Sequence, residues 1–121
     1  MARLAEHHSG VSSDLVGEST EVITLDGAFA VSRAPEVEQR LAAAFSPDQA
    51  DVVVDLRGVR SVDSAMLTLL VQSRTRAQQR GTRFSLIRPH RRVWRLFVLT
   101  GLGQNFTTYS SLQEALLEPE S

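Results

Sequence analysis

Residues 52–67 read Val52-Val53-Val54-Asp55-Leu56-Arg57-Gly58-Val59-Arg60-Ser61-Val62-Asp63-Ser64-Ala65-Met66-Leu67, and this run decides the fold. Val52 to Leu56 is almost continuously apolar and rich in β-branched residues, the pattern of a strand covered on both faces and therefore central in a sheet. After Gly58 a loop through Val62-Asp63-Ser64 leads to a change of period. Met66, Leu67, Leu70, Ser73, Arg74 and Ala77 fall on one side of a helix, with Thr68, Gln72, Thr75, Arg76 and Gln79 opposite. Asp63-Ser64 supplies the start, because either side chain can accept an orphan amide of the first turn, and Gly81 supplies the stop.

The same alternation extends both ways. Towards the N-terminus, Glu21-Val22-Ile23-Thr24-Leu25 reads as a strand closed by turn residues Asp26-Gly27. Val11 to Val16 is its expected antiparallel partner, joined through Gly17-Glu18-Ser19. Pro35 suits a first helical turn, and Val37, Leu41, Ala44 and Phe45 continue a helix from about Ala34 to Phe45. Towards the C-terminus, Phe84 to Ile87 is a strand stopped by Pro89, and Val93, Leu96, Phe97 and Thr100 trace a helical face closed by Gly101. Phe106 to Tyr109 is a last strand, and Leu112, Ala115, Leu116 and Leu117 a last helix. Parallel neighbours need helical crossovers, so the pattern predicts an α/β domain: a mixed, mostly parallel open sheet packed with about four helices. The domain is expected over residues 11–117, with flexible tails at 1–10 and 118–121.

Composition narrows the chemistry. The 121 residues suit one domain with a core of its own, and the absence of cysteine removes disulfides, thiolate catalysis and cysteine-ligated metals together. No stretch approaches a membrane span, which points to the cytoplasm and against membrane insertion. Eight of the 13 basic residues, all arginine, lie between Ser64 and Gln113 without one acid, while the remainder sets five arginines against 14 acids. The stronger reading is arginines at solvated helix ends; a nucleic-acid face lacks the interleaved aromatics that strand binding needs. His90, after Pro89 at a helix start, suits an exposed or capping residue better than a base. No second histidine stands at ligand spacing from it, and Gly101-Leu102-Gly103 lacks a dinucleotide fingerprint, so neither a catalytic site nor a cofactor is predicted.

The informative position is Asp63-Ser64. One reading is a helix cap and nothing more. The other uses the same physics: a phosphate on Ser64 would face free amides and the positive end of the helix, adding charge beside Asp63 while leaving the fold intact. Around it, Met66, Leu67, Leu69, Leu70 and Val71 crowd apolar groups over two turns, enough to fill the core on one side and leave Met66 and Leu69 for a partner. Trp94 and Val98, off the main face of the third helix, would extend that surface.

Val53-Val54-Asp55-Leu56-Arg57-Gly58-Val59 followed by Val62-Asp63-Ser64-Ala65-Met66-Leu67 resembles the strand, loop and helix of STAS domains, in which a D-S-x-G-L pattern surrounds a phosphorylated serine. Leu99-Thr100-Gly101-Leu102 is similar to the family's T-G-L, and Ser110 to Leu116 to its closing helix. The resemblance runs from about Thr20 to Leu117 and implies an anti-sigma factor antagonist, a protein that catalyses nothing itself. Such a protein binds an anti-sigma factor carrying a kinase-like ATPase domain and frees a sigma factor, until phosphorylation by that partner breaks the complex. Carried over, Ser64 is the phosphoacceptor, and Asp63, Ser64, Ala65, Met66, Leu69 and Trp94 form the partner surface, with at most a weak homodimer. Small STAS proteins also serve, unphosphorylated, as accessory subunits of membrane transport ATPases, and that is the alternative. The chain departs from the family pattern in two places: Gly27-Ala28-Phe29-Ala30 stands where G-E-L-D is common, and Met66 replaces the glycine of D-S-x-G-L.

Overall fold

The computed structural model describes residues 10–16, 20–29, 34–44 and 51–117. Within them lie strands β1 (Gly10–Val16), β2 (Thr20–Phe29), β3 (Asp51–Val62), β4 (Arg83–Ile87) and β5 (Thr107–Tyr109). The helices are α1 (Ala34–Ala44), α2 (Ser64–Arg80), α3 (Arg91–Leu99) and α4 (Leu112–Leu117), with a short 3-10 helix at Leu102–Asn105 between α3 and β5. One five-stranded sheet runs in the order β1-β2-β3-β4-β5, antiparallel at β1–β2 and parallel at the other pairings. This is the mixed, mostly parallel α/β architecture that the alternating pattern predicts. Residues 1–9 and 118–121 of the expected tails, the turn at Gly17-Glu18-Ser19, the helix end at Phe45 and Ala30 lie outside the described residues, whereas Gly10, assigned to the tail, is the first residue of β1.

β3 occupies the centre, and Val52 to Leu56 is buried throughout because alternate residues face two different layers. Val52, Val54 and Leu56 join Ile23, Leu25 and Leu86 against α1, α2 and α3 in the main core. Val53 joins Val22 and Ile87 on the other face, where Ala115 of α4 covers them. Three crossover helices thus share one layer, and the short α4 closes part of the other.

Two expectations about strand ends are corrected. Asp26-Gly27 is no turn: β2 continues to Phe29, and β3 continues past Gly58 to Val62, the two pairing as far as Phe29 with Val62. The register shifts between Thr24 and Asp26 and again between Gly27 and Ala28, so β3 places twelve residues against ten of β2. Gly27 takes a φ of 91° at the irregularity, a conformation that glycine adopts without a Cβ clash. Residues that read as turn punctuation here bend a ladder and do not end it. At Gly58, opposite Asp26, a Cβ would collide with the Asp26 carboxylate, so glycine lets that side chain lie across the strand.

Asp55 is the buried acid of the central strand, 6% exposed. Its Oδ1 accepts from the Arg57 amide and Nε, both at 3.0 Å, and its Oδ2 accepts from Arg57 Nη2 at 2.7 Å. Burial pushes this carboxyl up, but the side-chain and backbone hydrogen bonds from Arg57 and its positive charge together outweigh burial and hold it below the ordinary aspartate value.

Candidate functional site

The long β3 delivers the chain at the carboxyl ends of the parallel strands, the edge where open α/β sheets place their sites. Asp63 follows directly, with extended backbone (φ −103°, ψ 176°), and caps α2: its Oδ1 accepts from the Met66 amide at 3.1 Å, and its carbonyl accepts from Met66 and Leu67. The capping residue is therefore Asp63, and Ser64 is the first residue of the helix proper. Asp63, Ser64, Ala65 and Thr68 are all exposed, so a serine hydroxyl and a carboxylate share an open edge. The Asp63 carboxylate already occupies the position at which the helix start would hold an anion.

Met66 and Leu69, expected at the partner surface, belong to the core instead. Met66 is 1% exposed and Leu69 9%, and both pack in the main cluster with Leu67 and Leu70. Ser73 is buried with them, its hydroxyl donating to the Leu69 carbonyl at 2.9 Å. The physical reason is the width of the buried stripe: α2 lies against both the sheet and α1, and the apolar residues of its first two turns are all needed there. Val71 is half-buried. Of the residues expected to meet a partner, the α2 start thus keeps Asp63, Ser64 and Ala65 at the surface. Ala28, at the end of β2 opposite Ser61, is exposed.

Trp94 lies on α3, half-buried, its ring stacked on Phe97 at 4.8 Å and 23° and passing over Gly103 of the 3-10 helix. It walls a hollow of about 460 Å³ lined also by His90, Arg91, Arg92, Arg95 and Val98. His90 is the α3 cap, Nδ1 accepting from the Arg92 amide at 3.1 Å, as its place after Pro89 predicts. The two helix starts are neighbours: Val62 and Met66 on one side, and Pro89 and Val93 on the other, line one small apolar cavity of about 10 Å³. The helical face read from Val93 and Phe97 already leaves Arg91, Arg92 and Arg95 on the outer side of α3; what the sequence does not show is that the Trp94 ring folds onto Phe97 beside them. Among the described residues no group of three histidine or acidic side chains converges as it would around a metal.

The family described as "Mlab, STAS domain" matches residues 15–117. No curated protein sequence matches the chain. Among solved structures, an anti-sigma factor antagonist from Mycobacterium paratuberculosis is similar at 24% identity and a TM-score of 0.79, over 89% of this chain and 91% of that one. The anti-sigma factor antagonist SpoIIAA, in its unphosphorylated form, is similar at 18% identity and a TM-score of 0.75, over 88% and 93%. Part of the murine anion transporter Slc26a9 also shares the fold, at 17% identity and a TM-score of 0.72, over 83% of this chain and 17% of the transporter.

Proposed function

The chain belongs to the STAS domain family, and from that membership we propose that it is an anti-sigma factor antagonist, a binding protein without catalysis of its own. It captures an anti-sigma factor with a kinase-like ATPase domain at the edge formed by Asp63, Ser64 and Ala65, frees a sigma factor, and is released when Ser64 is phosphorylated. The observation that carries this reading is the placement of Ser64: an exposed hydroxyl on the first turn of α2, at the carboxyl edge of the sheet, beside a carboxylate. Phosphate there adds about −1.5 to −2 charges next to Asp63, on a residue whose burial no core contact requires. Interfacial repulsion then changes affinity while the fold stands.

A second reading is favoured by the cap itself. Because the Asp63 carboxylate already holds the Met66 amide, a phosphate on Ser64 finds that donor taken, and the same edge then suits permanent docking on a transport ATPase without modification. The fold's occurrence in the anion transporter Slc26a9 agrees with a transport setting. One experiment separates the two: pull-down from the native cell with partner identification, then incubation of the purified pair with ATP and location of any phosphate by mass spectrometry. Phosphate on Ser64, with affinity falling on modification, supports the antagonist. A transport ATPase as partner, with no phosphate on Ser64, replaces it with the second reading.

A further inference from the structure

The outer side of α3 is used neither by the core nor by the Asp63–Ala65 edge. The residues α3 buries are Val93 and Phe97. Turned away from them, Arg91, Arg95 and Leu99 follow one another at about one turn of 3.6 residues, flanked by Arg92 and Val98. All five are exposed, Val98 at 58% and Leu99 at 73%, and Leu96 beside them at 39%. None of the three arginines is ion-paired among the described residues, and no acid occurs between Ser64 and Gln113. Leu96, Val98 and Leu99 thus form adjoining exposed apolar surface rimmed by three cations, the combination that marks an interaction surface.

We propose that this ridge docks on an anionic lipid surface. The guanidiniums of Arg91, Arg92 and Arg95 meet phosphate headgroups, and Val98 and Leu99 enter the boundary between headgroups and acyl chains. The hollow beside the ridge, rimmed by the same arginines and walled by the indole of Trp94, offers a headgroup both charge and an amphipathic ring of the kind enriched at membrane interfaces. A lipid surface fits better than an acidic protein segment because the aliphatic residues project singly from a convex helix. A fluid boundary closes around such projections, whereas a folded partner must present a matching cavity. Attachment is peripheral, since among the described residues no helix is long and apolar enough to cross a membrane. The inference stands apart from the partner-switching reading and neither needs it nor fails with it.

The test uses the full chain with phosphatidylcholine vesicles, with and without one third phosphatidylglycerol, in a sedimentation assay. The expected result is binding to the anionic vesicles alone, weakening with salt as the Debye length shrinks. Arg91→Glu with Arg95→Glu should lower partitioning by roughly tenfold or more, and Leu99→Ser should lower it with the charges intact. Trp94 is the single tryptophan, and its emission should be quenched by lipids brominated in the acyl chain only when the protein is bound. Thermal unfolding shows that each variant is folded; should the double variant unfold, the Leu99→Ser comparison and the quenching decide. Absence of binding to anionic vesicles, equal binding to both vesicle types, undiminished binding by folded variants, or binding without quenching overturns the proposal. Capture by an immobilised peptide of alternating Glu and Leu, with no vesicle binding, also overturns it and gives the ridge to an acidic protein.

Discussion

The Asp63 carboxylate accepts a hydrogen bond from the Met66 amide at 3.1 Å, so the one serine at the start of α2 sits between a capping acid and the residue whose amide that acid holds. Replacing Asp63 separates the cap from the charge. Asp63→Ala should destabilise the domain by about 1 kcal/mol, and Asp63→Asn by much less, because the amide oxygen can still accept from Met66. Urea denaturation monitored by circular dichroism measures both. If charge at position 63 also opposes a phosphate on Ser64, the Asn variant should tolerate that phosphate better than wild type while folding equally well.

Burial of Met66 and Leu69 predicts stability changes. Met66→Ala or Leu69→Ala should cost about 2–5 kcal/mol, whereas Met66→Leu, which conserves volume, should cost less than about 1.5 kcal/mol. Aspartate at either position should prevent cooperative folding, since it buries a charge without a partner. A thermal melt of the alanine variants that overlays wild type would return these residues to the surface.

The Asp55–Arg57 pair predicts an acid limb of stability. The folded pKa of Asp55 is lowered, so its contribution is present above the unfolded aspartate value near 3.9 and is lost as pH falls through the lower folded value. Arg57→Ala removes the two guanidinium donors from a buried carboxylate and leaves it the backbone amide of residue 57. The half-exposed guanidinium is screened by solvent, which limits the expected loss at neutral pH to about 1–2 kcal/mol. The variant's Asp55 should also titrate at higher pH, bringing the onset of acid unfolding upward. Denaturation midpoints across the acid range check both effects.

Gly58 and Asp26 should be coupled. Gly58→Ala places a methyl group where the Asp26 carboxylate lies, and because that side chain is exposed it can swing away, for a cost of order 1 kcal/mol. In an Asp26→Ala background the same change should be neutral or stabilising, since alanine restricts the unfolded chain more than glycine does. A double-mutant cycle with an interaction energy near zero would show that the two positions do not meet.

The parts of the fold carried by period were legible in the sequence. The β-branched run Val52–Val54 and the Asp63…Gly81 bracket of α2 give strand and helix directly, because burial on both faces and the two helix ends each leave a residue-level mark. The extension of β2 and β3 was hidden because Asp26-Gly27 and Gly58 have the chemistry of turns, and only pairing reveals that they serve a bulge. Leu102–Asn105 was hidden because a single 3-10 turn is too short to show a period. At the candidate site, the exposure of Asp63 and Ser64 follows from capping, but the fate of Leu69 depends on how many neighbours α2 packs against, which is a tertiary fact.

The sheet's spatial order repeats its chain order, and the consequence is kinetic. No strand has to slip between two that are already in place, so the sheet can grow outward from β1 and β2 by adding one helix–strand unit at a time to an open edge. Each addition closes a loop of local span, which keeps the entropic barrier of a largely parallel sheet low. A chain emerging N-terminus first can therefore lay down its strands in the order in which they are made, with the three-residue β5 arriving last to finish the edge.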